Sequence, residues 1–269
     1  MWLINTTTHE LHENPPSSTY AILSHTWESE EVSFRDMEDL EKASKKKGFI
    51  KIIKACDIAK AAGIEWAWVD TCCIDKRSSA ELTESINSMW RWYKEADICY
   101  AFLSDLPASH SVIDPLLQSR ATFEDLKSCR WLTRGWTLQE LLAPTYIDFF
   151  DSSWTKRGTK ASLRHELSIL TGIRFEVLED SRLIQQTPVA CRMSWAACRQ
   201  TTRDEDRAYS LFGIFDVNLP LIYGEGAKAF TRLQEAILHN STDLSMFAWD
   251  ANDKGQLYTG LLARSPSDF

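Results

Sequence analysis

Glu140 follows Trp136 by four residues in the run Arg134-Gly135-Trp136-Thr137-Leu138-Gln139-Glu140-Leu141-Leu142-Ala143-Pro144, whose pattern predicts a short helix stopped by the proline. At that spacing the two side chains share one helix face. Leu138, Leu141 and Leu142 fall on the opposite stripe, so the helix can dock on a core while Glu140 and Trp136 look into whatever lies beside it. A carboxylate flanked by aromatic surface and partly stripped of water can stabilise the positive charge of an oxocarbenium-like sugar, the logic of glycoside cleavage. Composition alone favours a plainer role, a solvated glutamate on a polar face, because glutamate is rarely buried unpaired.

Four short apolar runs have the character of strands that would position such chemistry: 20–24, 66–70, 98–103 and 146–150. Helical patterns separate them, from Phe49 to Ala62 with a stop at Gly63, and from a Ser78-Ser79-Ala80-Glu81 capping box to about Ala96. Strand and helix alternate, which predicts an α/β fold with a mostly parallel sheet wrapped by helices. Ligands of such sheets bind beyond the carboxyl ends of the strands. The four runs end in Ser24-His25-Thr26-Trp27, in Asp70-Thr71-Cys72-Cys73-Ile74-Asp75, in Ser104-Asp105 and in Asp151-Ser152-Ser153-Trp154. The plain alternative is that these residues only start turns and cap helices.

Other constellations carry less. His25 with Cys72 or Cys73 can be written as a base and a thiol nucleophile, yet a cysteine flanked by hydrophobic residues is more often inert and buried. A Ser24, His25 and Asp70 triad requires sequence neighbours on a strand exit to converge, whereas their side chains diverge. His9 and His12 have the wrong spacing for HExxH, and no His/Cys/Asp cluster has metal-ligand geometry, so no metal is expected. Arg134 is a candidate for holding a phosphate or for pairing with Asp70 or Asp75.

From Thr159 onward the signals become helical, at 160–170, 188–198, 204–212 and 227–239. This predicts an α/β core over 1–158 and a helical extension over 159–269, together one integrated domain. The blocks 206–211 and 223–226 read as scaffold, a packed helix and a glycine-assisted turn. The tail 255–269 offers one short strand and a turn at Pro266, and its end is compatible with the front module of a longer protein.

The chain has 269 residues, 44% of them hydrophobic, enough for a large core. A net charge of -8 without a basic stripe argues against nucleic acid, and Lys45-Lys46-Lys47 reads as a solvated helix end. The 7 cysteines lack paired CxxC spacing, which fits a reducing cytosol. Neither a signal peptide nor a membrane-length apolar run is visible, so the expected location is cytoplasmic, with proteins or small molecules as partners. The 11 tryptophans are expected to line cores and pockets.

The segments 20–27, 68–76 leading through 85–89 to Tyr93, 130–141, 206–215 and 220–226 resemble, in order, the fungal heterokaryon-incompatibility (HET) domain. Proteins of this family trigger cell death when genetically different hyphae fuse. The family is distantly similar to TIR domains, whose flavodoxin-like sheet supports NAD cleavage by one glutamate. In plant TIR domains that glutamate sits in a Trp-Cys-Leu-x-Glu-Leu pattern, which Trp136-Thr137-Leu138-Gln139-Glu140-Leu141 matches except at Thr137. The resemblance thus implies a TIR-like sheet and Glu140 as the catalytic residue. Ser24, His25, Trp27, Asp70, Cys72, Arg134 and Trp136 would surround the substrate. NAD or a related nucleotide would be substrate rather than cofactor, self-association would accompany activity, and an upstream regulatory protein or domain would control it. A non-enzymatic death-signalling adaptor using the same surfaces remains the alternative.

Overall fold

Runs of four or five apolar residues are too short for stable helices and form strands once both of their faces can be covered. In the computed structural model, which describes residues 1–15, 19–108, 123–250 and 260–269, they do so. The strands are β1 (Trp2–Asn5), β2 (Leu11–Glu13), β3 (Ala21–His25), β4 (Trp66–Val69), β5 (Ile98–Phe102), β6 (Ile147–Phe150) and β7 (Lys156–Thr159). They make one sheet in the order β2-β1-β4-β3-β5-β6-β7. β3 runs parallel to β4 and β5, and β5 runs parallel to β6, while β1–β2, β1–β4 and β6–β7 are antiparallel. The fold is α/β.

Taken in chain order, the four parallel strands lie as 2-1-3-4, the start of a doubly wound sheet whose switch point falls between the first and third strands. Here that point lies at the ends of β3 and β5. β3 and β4 are buried at every position, which explains why they read as unbroken apolar runs. The flanking strands were not expected from sequence. β2 and β7 are polar and partly exposed, and they exist because neighbours offer them a register, as where Asp148 pairs with Thr159.

Among the described residues, the longest helices of the first unit are α1 (Phe49–Ala61) and α2 (Ser79–Glu95), which pack against this sheet. The chain leaves α1 through Gly63 at φ 78°, a left-handed conformation that suits glycine. At the start of α2 the Ser78 hydroxyl accepts the Glu81 N–H at 3.3 Å. The expected reciprocal half of that capping box is absent: the Glu81 carboxylate instead accepts the N–H of Asp75 at 3.0 Å. Behind the sheet, Trp68 meets Trp92 and Tyr93 edge-on at 5.6 and 5.8 Å. Tyr20 and Tyr93 cross-link sheet and helix, donating their hydroxyls to the carbonyls of Trp92 (2.6 Å) and Leu23 (3.2 Å).

The described chain divides into two units, one of residues 1–131 and 144–163, the other of 132–143 and 164–269. The second unit is helical, with α3 (Thr137–Leu142), α4 (Arg164–Thr171), α5 (Phe175–Glu179), α6 (Val189–Ser194), α7 (Asp206–Tyr209), α8 (Phe212–Phe215) and α9 (Lys228–Asn240). The single helix expected over 204–212 is thus two short ones, and α8 ends at Asp216 in a left-handed conformation. Pro266 opens the expected turn, with Ser265 as its cap, whereas the short strand expected in the tail 255–269 does not occur in its described part, 260–269, and residues 255–259 lie outside the described residues. Among the described residues no helix is long and apolar enough to cross a membrane.

Candidate functional site

In the first unit, the exits of β3 and β4 deliver His25, Trp27 and Asp70 to one place. His25 is 4% exposed, with Nε2 3.8 Å from Glu31 and Nδ1 4.0 Å from Asp70, ion-pair distances rather than hydrogen bonds. Asp70 accepts the Trp27 indole N–H at 2.8 Å through its other oxygen, and the Lys76 ammonium sits over the Trp27 ring, 3.9 Å from its centre. Lys51 reaches in from α1, donating to Glu31 at 2.6 Å and to the Thr26 carbonyl at 3.2 Å. Burial pushes the Glu31 carboxyl up, but His25 and Lys51 outweigh it and hold the group at about 2. Glu28 extends the network, accepting from Ser104 at 2.8 Å and from Arg130 at 3.0 Å, and Arg130 also binds Asp105.

Ser24 and Cys72, expected beside a ligand, are both 0% exposed. The Ser24 hydroxyl accepts the buried Trp131 indole N–H at 2.7 Å, pointing away from its neighbour His25 as alternation along a strand requires. Cys72 leans on the Val69 carbonyl, and burial drives its thiol well above the usual range. Both side chains serve the interior of the unit.

In the second unit lie Arg134, Trp136 and Glu140. Glu140 is 5% exposed, and all six residues of α3 are buried. The expected polar face is therefore not a solvent face: at under two turns the helix is enclosed on every side. Trp136, half-buried at the start of α3, donates its indole N–H to Asp206, which also accepts from the Tyr223 hydroxyl at 3.0 Å. Burial raises the Asp206 carboxyl, against the pull of those two donors. Arg199 donates to the Arg134 carbonyl at 2.9 Å and to the Thr137 hydroxyl at 3.0 Å, locking the turn before α3. Burial lowers the Arg199 guanidinium to about 10, partly offset by the negative charge of Glu140. Of the acids considered for Arg134, Asp75 pairs with Arg77 at 2.8 Å and Asp70 accepts from Trp27.

Residues 20–119 match the family described as heterokaryon incompatibility protein (HET). Over 221 residues the chain is 49% identical to the vegetative incompatibility protein HET-E-1 of Podospora anserina, a stretch that covers 81% of this chain. The chain carries a HET domain. It spans 16% of the length of that relative, and no solved structure matches it.

Several residues that shape this HET domain's interior were not singled out from sequence. Lys51 had a readable signal, a lone lysine inside Phe49-Ile50-Lys51-Ile52-Ile53, since a cation embedded in an apolar stretch needs a buried partner. Glu31 and Arg199 carried none, because their roles depend on partners 20 and 62 residues away, Lys51 and Thr137. The Lys45-Lys46-Lys47 run behaves as a solvated turn, with salt bridges to Glu41, Asp36 and Glu30.

Proposed function

We propose that this HET domain executes cell death in heterokaryon incompatibility by cleaving the nicotinamide N-glycosidic bond of NAD or a related nucleotide. Glu140 is the catalytic carboxylate in this reading, and the observation that carries it is its burial at 5% exposure on a helix it shares with the half-buried Trp136. A carboxylate removed from bulk water acts strongly on a nearby cation, because solvent no longer screens it. As the bond from C1′ to the pyridinium nitrogen breaks, its electron pair goes to nicotinamide and the ribosyl carbon becomes cationic. Glu140 stabilises that cation, water adds to C1′, and a proton is released to solvent. The order 2-1-3-4 of the parallel strands supports a TIR-like reading of the sheet. The 49% identity to a vegetative incompatibility protein supports the biological role, and that relative's much greater length is in keeping with control by other domains. We take the domain to act in the cytoplasm and in a self-associated state.

Purified protein, concentrated or tethered into oligomers, should release free nicotinamide from NAD, with specific activity rising steeply with concentration. Glu140→Gln should reduce release by at least about 100-fold, the scale of losing one electrostatic stabiliser, while the far-UV spectrum stays unchanged. A folded Glu140→Gln that retains full turnover removes the carboxylate from the reaction. The adaptor reading draws on the closure of Ser24 and Cys72 at the strand exits, which leaves fewer groups for a small ligand. Absence of nicotinamide release from an oligomer that still triggers death would favour it.

A further inference from the structure

We infer that the second unit holds an oxyanion site that accepts a phosphate-sized group, distinct in its residues from Glu140 and going beyond the glycohydrolase reading. A cavity of about 170 Å³ there is lined by Arg199, Arg207, Thr201, Ser210, Ser265 and Ser267, among others. At about 30 Å³ per water it holds roughly five waters, enough for a tetrahedral oxyanion. It is below the roughly 300 Å³ at which pockets begin to enclose whole drug-sized ligands. That size suits a group as small as a phosphoryl rather than an entire dinucleotide.

The chemistry of the lining fits an anion. Arg199 is gripped from behind, its Nε donating to the Trp195 carbonyl at 3.3 Å and its Nη1 to the Arg134 carbonyl and the Thr137 hydroxyl. Its Nη2 is buried and has no hydrogen-bond partner among the described residues. The charge of Glu140 acts on Arg199 without hydrogen-bonding Nη2, and a guanidinium nitrogen with no acceptor inside a protein is costly, which an oxyanion would relieve. Arg207 brings a second cation, whose bond to Asp204 is a 3.4 Å pair between residues 49% and 67% exposed. Such an exposed pair is weak and yields to a stronger acceptor. Thr201 donates its hydroxyl proton to the Arg203 carbonyl at 2.6 Å, while Ser210 contributes a hydroxyl able to donate. Gly135 forms part of the wall, and a Cβ there would lie 2.5 Å from the Thr201 methyl, so only glycine keeps that wall in place.

Calorimetric titration of the full chain with inorganic phosphate, and separately with adenosine diphosphate, tests this against sodium chloride at equal ionic strength. Phosphate should bind and raise the melting temperature beyond the chloride control. Arg207→Gln should weaken that binding about tenfold, as loss of one charge-assisted bond does. Tighter binding of the nucleotide, displaced by phosphate, identifies a nucleotide's phosphoryl as the occupant, and binding of phosphate alone identifies the free ion. No response beyond chloride, or an identical response in Arg207→Gln, overturns the proposal. So does a phosphate-soaked crystal in which the anion sits away from Arg199 and Arg207. None of these results depends on nicotinamide release, so this site and the glycohydrolase reading stand or fall separately.

Discussion

In the first unit the Glu31 carboxylate is answered mainly by side chains, Lys51 at 2.6 Å and His25 at 3.8 Å, with one main-chain N–H, that of Glu28, at 2.8 Å. In the second, the Glu205 carboxylate is answered by the main chain, accepting the N–H groups of Gly224 at 2.7 Å and Gly226 at 3.0 Å. Around Glu205 the polar groups close on one another: Tyr209 accepts the Ile222 N–H and donates to Glu225, Arg232 also binds Glu225, and Tyr223 donates to Asp206. Around Glu31 they do not close. His25 Nε2, Asp70 Oδ1 and Thr26 Oγ1 are buried there without a hydrogen-bond partner among the described residues. A closed network specifies shape, whereas an open one carries a standing cost that a ligand or ordered water can relieve. This sets the turn 222–226 apart as scaffold from the open cluster at the β3 and β4 exits.

The sharpest way to break this contrast is Lys51→Met. Removing the ammonium strands Glu31 beside His25 and Asp70, and loss of one partner of a buried pair typically costs about 3–5 kcal/mol, readable as a shifted urea midpoint. A cost under about 1 kcal/mol would mean that solvent already screens the cluster. Acid should act on the same group. Because the Glu31 carboxyl is held at about 2, below its ordinary 4.5, its contribution is complete above pH 4.5 and disappears as pH falls toward 2. That loss is on the order of 2 kcal/mol after allowance for screening, and Lys51→Met should flatten this part of the stability profile. The smallest effect belongs to the closed network. Gly224 sits at φ 105°, and a Cβ added there would meet only open space, so Gly224→Ala incurs a backbone penalty and no clash. It should cost about 1–2 kcal/mol without altering the acid profile. A change in that profile would join the two networks that the comparison separates.

The parallel strands and the helices between them were legible because burial on both faces demands unbroken apolar runs, and Ala21–His25, Trp66–Val69, Ile98–Phe102 and Ile147–Phe150 have that character. The polar edge strand Lys156–Thr159 was not legible, since its pairing is borrowed from Ile147–Phe150. At the candidate site, the pairing of a glutamate with a tryptophan four residues before it was visible, and so was the concentration of polar residues at strand ends. The fate of each was not. That Ser24 and His25 diverge follows from alternation along a strand, but their partners, Trp131 for Ser24 and Glu31 and Asp70 for His25, come from distant parts of the chain that no local pattern names.

By itself the amino-acid order determined the α/β class, the positions of the central strands and membership of the HET family, because each rests on local periodicity or on ordered motifs. Only the tertiary structure decided that residues 132–143 pack with residues 164–269, that Glu140 is buried to 5%, and that Trp136 is held by Asp206. Burial and ionic partnership are set by groups far apart in the chain, and no local pattern records which of them will meet.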